Sequence, residues 1–444
     1  MRNEPKNFGG FALATLLAIL TTANLRAENW AHWRGPNFDG SSPEKNPPTD
    51  FSKTNNVKWV ADLPGPSAAT PIIWGETVFV SSTDTRTKTL HAMAFNRKTG
   101  KPLWNNEVTQ GFSQDRNSNF ASPSPTTDGK LVFFLYGTGN LVAFDFQGKQ
   151  VWAKDLEKEY GQFAYQWTYG ASPTLFDGKL YVQVLDRNVP VHGRGRQKAE
   201  SYLLALDPKT GREIWRHVRH TTAPAESQEA YSTPIPFTRK DKTEILISGG
   251  DCLTGHDPKT GKELWRWGSW NAVTKRGDWR LVPSPVASEE VALVCAPKGS
   301  PVFAVKNGLK GNLDDSALAW TSTEREISSD VCTPLLYKGK FYVLNGEKPT
   351  KTIARIDPAT GKPDWIGELP TRAKIECSPT AADDKIYVQD FKGNVHIVGA
   401  DKEFKIIRSI PMGDDGDDSL RAAVAISQEN LFIRTGSKLY CVGK

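Results

Sequence analysis

Five stretches of this chain end alike: AFNRKTGKPLW from Ala94 to Trp104, VAFDFQGKQVW from Val142 to Trp152, ALDPKTGREIW from Ala205 to Trp215, GHDPKTGKELW from Gly255 to Trp265 and RIDPATGKPDW from Arg355 to Trp365. Each reads as a hairpin. Asp accepts backbone hydrogen bonds where the turn begins, Pro fixes φ at the next position, and Gly supplies the positive φ at which the chain folds back. The residues beyond the Gly alternate as a strand whose Trp points to one face.

Each ending belongs to a unit of roughly 45 to 50 residues that opens on a Ser/Thr-Pro step. The steps are Thr70-Pro71, Ser122-Pro123, Ser172-Pro173, Thr233-Pro234, Ser284-Pro285, Thr333-Pro334 and Ser378-Pro379, and an eighth unit at Ala423-Val424 keeps the spacing without the step. The closing positions are Trp59, Trp104, Trp152, Trp215, Trp265, Trp320 and Trp365, then Ile407 in EFKIIRSI. A Trp packed between neighbouring sheets accounts for so many copies; no catalytic site needs them. The first closing strand has no hairpin before it and the last unit, ending LYCVGK, has none after it. The two deficits cancel if Val57 to Leu63 completes the sheet begun by Ala422 to Gly443. The pattern therefore predicts an all-β fold: an eight-bladed β-propeller of four-stranded antiparallel blades over 57–444, with the last blade closed by the N-terminal strand.

Residues 1–27 carry Arg2 and Lys6, an apolar stretch from Phe8 to Leu20 and a small-residue exit at Ala27. This pattern predicts a secretory signal peptide, the apolar run being shorter than the ~20 residues of a spanning helix. An uncleaved anchor is the alternative. Cleavage leaves 53 basic against 49 acidic residues, so the whole chain's charge of +6 becomes +4. That balance excludes a nucleic-acid binder, which needs a concentrated basic face. The one basic cluster, Arg187, His192, Arg194, Arg196 and Lys198, reads as a solvated loop. The five cysteines (Cys252, Cys295, Cys332, Cys377, Cys441) are too few for a disulfide framework. The mature chain is expected to be exported, soluble and monomeric.

The sequence x-Asp-Pro-x-Thr-Gly-x-x-x-Trp, fullest at Asp207–Trp215, Asp257–Trp265 and Asp357–Trp365, resembles the tryptophan-docking repeat of the pyrroloquinoline quinone (PQQ) repeat family. That family contains quinoprotein alcohol dehydrogenases and the outer-membrane assembly factor BamB. The resemblance implies an eight-bladed ring but not an activity, since enzymes and non-enzymes share the repeat. The chain lacks the adjacent cysteine pair of the dehydrogenases, any Cys-x-x-Cys-His haem motif, and the lipid-acceptor cysteine typical of BamB. The lead-in 28–56, beginning ENWAHWRGPNFDG, resembles that of other exported PQQ-repeat proteins; Trp30, Trp33 and Arg34 are expected to dock it on the ring by apolar burial and cation–π contact.

In a propeller the innermost strands start beside the central channel, so residues before each Ser/Thr-Pro step line one mouth. These are Asn119, Phe120, Tyr169, Tyr231, Arg280, Asp330, Glu376 and Arg421, with Trp167 just upstream. They suit a small polar or planar ligand, or form a salt-bridged, water-filled funnel with none. Cys332 and Cys377 share a repeat position, which raises a disulfide across blades as one reading; Cys252, Cys295 and Cys441 read as buried thiols. The run Asp414, Asp415, Asp417, Asp418 has the oxygen donors Ca²⁺ takes but not EF-hand spacing, and a solvated loop is the plainer reading. His217 and His220 lack further zinc ligands nearby, and Ser42-x-x-Lys45 sits in a Pro-rich lead-in unsuited to a held nucleophile. The leading expectation is a non-enzymatic envelope protein, with a BamB-like role as its narrower form, that binds a protein or envelope component through one face and needs no cofactor; the alternative is a dehydrogenase using PQQ with calcium at the mouth.

Overall fold

The Ser/Thr-Pro steps each feed a short inner strand, and three further antiparallel strands meander outward from it. Successive blades begin at Ile72, Thr126, Thr174, Ile235, Val286, Leu335, Thr380 and Ala425. We refer to them as blades 1 to 8. Eight sheets result in the computed structural model, which describes residues 1, 29–113, 115, 118–240 and 242–444. The segment read as a signal peptide lies outside the described residues, apart from Met1. Val57–Asp62 forms the outer strand of blade 8, antiparallel to Lys438–Val442, so the ring closes as the repeat count requires. Blade 4 has a fifth strand, Gly311–Leu313, added parallel to its outer strand Glu263–Trp267.

The outer strands carry the closing tryptophans. In blades 1, 2, 3 and 6 a β-bulge falls immediately before the Trp, between Ala94 and Phe95, Ala143 and Phe144, Ala205 and Leu206, and Arg355 and Ile356 on the partner strand. The bulge leaves Leu103, Val151 and Ile214 exposed and turns the Trp toward the next blade, since bulges sharpen local twist. Blade 7 corrects one assignment. Its bulge leaves Arg408 opposite Ile397, so Arg408 and not Ile407 occupies the Trp register; Ile407 is the bulged residue. The Arg408 guanidinium reaches Asp50 of the lead-in at 2.6 Å.

Five of the seven closing Trp rest on the hairpin glycine of the following blade; Trp365 meets a turn without one and donates to the Asp401 carbonyl. A Cβ on Gly100, Gly148, Gly211, Gly261 or Gly361 would stand 2.4 to 2.8 Å from the ring of Trp59, Trp104, Trp152, Trp215 or Trp320. The hairpin Gly thus serves twice, supplying φ between +68° and +82° and a flat seat. The indole Nε1–H then donates to a carbonyl of that hairpin, Trp59 to Arg97, Trp104 to Phe146, Trp152 to Pro208, Trp215 to Pro258 and Trp320 to Pro358. Such a bond contributes about 1 kcal/mol, whereas truncating a packed Trp costs about 3–5 kcal/mol, so ring packing carries most of the docking energy. Trp265 departs: blade 5 has no Asp-Pro hairpin, and its Nε1 donates to Glu244 of its own blade at 2.6 Å.

A cup at the channel mouth

Around the axis, the hydroxyl of each Ser/Thr-Pro step accepts the backbone N–H of the step before it. Thr70 donates to Ser124, Ser124 to Ser172, Ser172 to Thr233, Thr233 to Ser284, Ser284 to Thr333 and Thr333 to Ser378, all at 2.8 to 3.0 Å. The Pro that follows keeps each of these residues extended. Ala423 donates to Thr70 at 3.2 Å but has no hydroxyl to offer Ser378. In blade 2 the ring residue is Ser124, followed by Pro125, rather than Ser122 with Pro123: the inner strand Thr126–Thr127 sets the register two residues later than the tandem Ser-Pro-Ser-Pro suggests.

One end of the channel is plugged by the lead-in. Trp30 pairs with Ile73, Thr127 N–H donates to Ala31, Leu336 N–H to Asp39, and Ser42 N–H to Ala381, so the segment crosses five inner strands once the His32–Thr174 contact is counted. Arg34 is fully buried on the axis, donating to the carbonyls of Pro379, Pro334 and Asp39, and lies 5.4 Å from the Trp33 ring centre. Burial pushes its guanidinium down to about 10. Trp30 and Arg34 are both solvent-inaccessible, as the expected docking requires.

The other end opens as a cavity of about 950 Å³ with Trp33 among its lining residues. Its wall takes the hydroxyl ring and, two residues before each ring position, Ala68, Ser122, Gly170, Tyr231, Val282, Val331, Glu376 and Arg421. Of the expected mouth residues, Trp167, Tyr231, Arg280, Asp330, Glu376 and Arg421 all line it. Tyr169 does not: it turns inward, where it packs on Phe163 and Tyr165 and donates to the Gln183 carbonyl at 2.7 Å. Asn119 and Phe120 also lie outside the lining, displaced by the two-residue register shift in blade 2.

The inner carboxylates of the mouth are paired with cations. Arg280 grips Asp330 through both guanidinium nitrogens at 3.0 and 3.1 Å; burial alone would raise the Asp330 carboxyl, but the Arg280 bonds outweigh it and hold it low. Arg421 meets Glu376 at 2.5 Å and Lys374 meets Glu347 at 2.9 Å. Glu376 is pushed up, mainly by burial and also by the neighbouring Glu347, since adjacent carboxylates resist carrying charge together. On the flank, Tyr231 donates to the buried Glu229 at 2.6 Å, and the indole of Trp167 donates to Glu226 at 2.9 Å. Burial raises Glu229 to about 7, as it does Asp186 beneath the same rim.

Lys298, Glu347, Lys348, Lys374 and Phe391 line the cavity too and were not singled out in the sequence, while Asp418 lines it from the acidic run rather than from the positions expected at the mouth. Lys298, Glu347, Lys348 and Phe391 stand on or beside turns joining second and third strands, which return to the same mouth in an antiparallel meander; strand parity was the signal available. The acidic run is a structural loop: Asp414 accepts from Thr435, Ser437 N–H and the Ser437 hydroxyl, Asp417 from Asp414 N–H and Gly436 N–H, while Asp415 and Asp418 are exposed. Among the described residues no group of three His, Cys, Asp or Glu side chains is arranged to hold a metal ion. All five cysteines are buried free thiols, so Cys332 and Cys377 are not bridged; their sulfurs bond to the Ile375 and Gln389 carbonyls. The basic cluster is largely engaged within the fold, Arg187 with Glu229, Arg194 with Glu157 and Arg196 with the Tyr160 carbonyl. His217 is half-buried against His256 rather than free at the surface.

A PQQ-repeat family model described as "Outer membrane protein assembly factor BamB" matches residues 51–166 and 91–308, together more than half of the chain. The chain belongs to the PQQ-repeat β-propeller family. No curated protein matches it. Among solved structures it is similar to a europium-containing methanol dehydrogenase (12% identity, 92% of this chain and 90% of that chain, TM-score 0.67). It is likewise similar to the quinohemoprotein alcohol dehydrogenase from Comamonas testosteroni (14%, 94% and 81%, TM-score 0.64) and to BamB from Moraxella catarrhalis (12%, 87% and 99%, TM-score 0.58). At these identities the likeness is one of fold. Among the described residues no helix is long and apolar enough to cross a membrane.

Proposed function

We propose that the protein is an exported, non-enzymatic binding propeller of the cell envelope whose open mouth receives a segment of a protein partner or an envelope component. The observation that carries this reading is the pairing of charge: Asp330, Glu347 and Glu376, the most buried lining carboxylates, are each held by a cation. None is left as a base against a reacting group. Trp167, Tyr231, Arg280 and Arg421 are the residue types that dominate binding hot spots, and the plugged far end makes a cup that is entered from one side. A role in outer-membrane assembly is the narrower form of this reading, supported by the matched family; a pull-down from envelope extract that recovers no assembly component would remove it.

A second reading, a PQQ-dependent dehydrogenase, is favoured by Trp33 and Trp167, whose flat rings share the cavity with five cationic side chains, Arg280, Lys298, Lys348, Lys374 and Arg421. These suit a planar, carboxylate-bearing quinone. A calcium ion does not fit beside it, because Asp330, Glu347 and Glu376 are already paired with cations. The binding reading is tested with a photo-crosslinking amino acid placed at Trp167 and, separately, at Val151 on the outer rim. Adducts with a discrete envelope component from the mouth position alone are expected; equal adducts from both positions, or none, would sink it.

A further inference from the structure

Blade 7 holds three side chains in a row that the mouth does not use. His396, on the third strand, faces Ser409 on the outer strand, and its Nδ1 stands 2.8 Å from the Ser409 hydroxyl. Its Nε2 stands 3.3 Å from Oδ2 of Asp390, in the turn that precedes the third strand. Asp390 is solvent-inaccessible and His396 is 1% exposed, whereas Ser409 is open to solvent.

Asp390 is fixed from several sides. Its Oδ1 accepts from Lys392 and Asn394 N–H, and its Oδ2 from the Thr371 hydroxyl and the Asn394 amide. Burial alone would raise this carboxyl, but the bonds from His396, Asn394 and Thr371 outweigh it and keep the group below the ordinary carboxylate range. An ionised carboxylate only accepts, so the imidazole carries its proton on Nε2. That leaves Nδ1 as the acceptor of the Ser409 hydroxyl proton, with the third group orienting the base, as in activated-nucleophile arrays on unrelated folds.

We propose that Asp390, His396 and Ser409 form an activated-serine array, making Ser409 a modification site for small acyl or phosphoryl donors with good leaving groups. This goes beyond the binding role of the mouth. In the step, Ser409 Oγ bonds to the electrophilic carbon or phosphorus as the bond to the leaving group breaks. The hydroxyl proton passes to His396 Nδ1 and from there to the departing group or solvent; no atom changes oxidation state. Asp390 is the positioning residue, holding the tautomer and the ring.

The test is site-resolved labelling of the intact protein with a fluorophosphonate, the bond to fluoride being the one that breaks, with exposed Ser419 as the internal reference. Modification at Ser409 is expected about a hundredfold faster than at Ser419, the low end of what a positioned base supplies. His396→Gln, which can still hydrogen-bond but not take the proton, is expected to bring Ser409 to the Ser419 rate while the melting temperature stays close to the parent's. Asp390→Asn is expected to slow labelling and Asp390→Glu to restore part of it. Ser409→Cys gives a second readout that does not depend on the phosphonate fitting. Every native cysteine is buried, so an introduced thiol at 409 is expected to alkylate faster than one at 419, and only when His396 is present. Labelling of Ser409 no faster than Ser419, or unchanged in His396→Gln, overturns the proposal.

Discussion

The seam between blades and the cup on the axis are built on opposite rules. The seam repeats: a bulge, a Trp, the glycine of the next hairpin and a carbonyl recur from blade to blade with the same geometry. The cup does not. Its hydroxyl ring repeats, but two residues before it the eight blades present Ala68, Ser122, Gly170, Tyr231, Val282, Val331, Glu376 and Arg421. Repetition marks what the ring needs in order to close, and variation marks where the proposed function puts a particular partner. Trp265 shows the boundary of the rule, since blade 5 gave up its hairpin and the extra strand Gly311–Leu313 covers the edge of blade 4 instead.

The largest expected effect breaks the seam. Gly361 and Gly339 share nearly the same φ, +72° and +69°, but a Cβ on Gly361 would lie 2.4 Å from Trp320 while Gly339 has open space around it. Gly339→Ala is expected to lose about 1–2 kcal/mol from backbone strain. Gly361→Ala is expected to lose that and a further 1–3 kcal/mol or so from displacing the indole, as read by denaturant unfolding. Equal losses would mean that the Trp seat contributes nothing.

Next comes a titration below the rim of the cup. Burial holds Asp186 at about 7 against an ordinary value of 3.8. The folded state therefore binds this proton more tightly than the unfolded state, and its contribution is full below pH ~4 and lost as pH rises through ~7. Asp186→Asn keeps an acceptor for Ala164 N–H and cannot ionise. Relative to the parent it is expected to gain stability between pH 4 and 7, by an amount of order 4 kcal/mol, and to hold that gain above pH 7. A difference independent of pH would show that Asp186 is not protonated in the fold.

A smaller effect separates ring packing from its hydrogen bond. Trp152→Phe removes the donor to Pro208 and part of the ring, with an expected cost of about 1–2 kcal/mol, well short of the cost of Trp152→Ala. The smallest is expected at the mouth. Arg280→Met with Asp330→Leu removes both partners of an ion pair together, and the unfolding free energy should move by no more than about 1 kcal/mol, while either change alone costs more because it strands the other charge. A large loss in the double variant would show that the mouth, like the seam, holds the fold together.

What the sequence revealed divides along the same line. Blade number, ring closure, Trp docking and the buried lead-in residues were legible because each recurs or carries a local signature of turn chemistry. The register errors arose where the signature was ambiguous: the doubled Ser-Pro before Thr126, and the bulge that puts Arg408 rather than Ile407 opposite Ile397. Tyr169 was misplaced because it packs into the core on Phe163 and Tyr165, whereas Asp330, three residues before its own ring position like Tyr169, faces the cavity. The cup was half legible, since its inner strands are marked by Ser/Thr-Pro but its returning turns have no motif. The Asp390–His396–Ser409 row was not legible, being set by cross-strand pairing and a turn several residues away.

The central claim is that the mouth binds and does not oxidise. It is tested most directly by titrating the purified protein with PQQ and Ca²⁺ while following absorbance and dye-linked alcohol oxidation. The account predicts no turnover and no Ca²⁺-dependent spectral change up to high micromolar cofactor; stoichiometric binding with alcohol oxidation would contradict it.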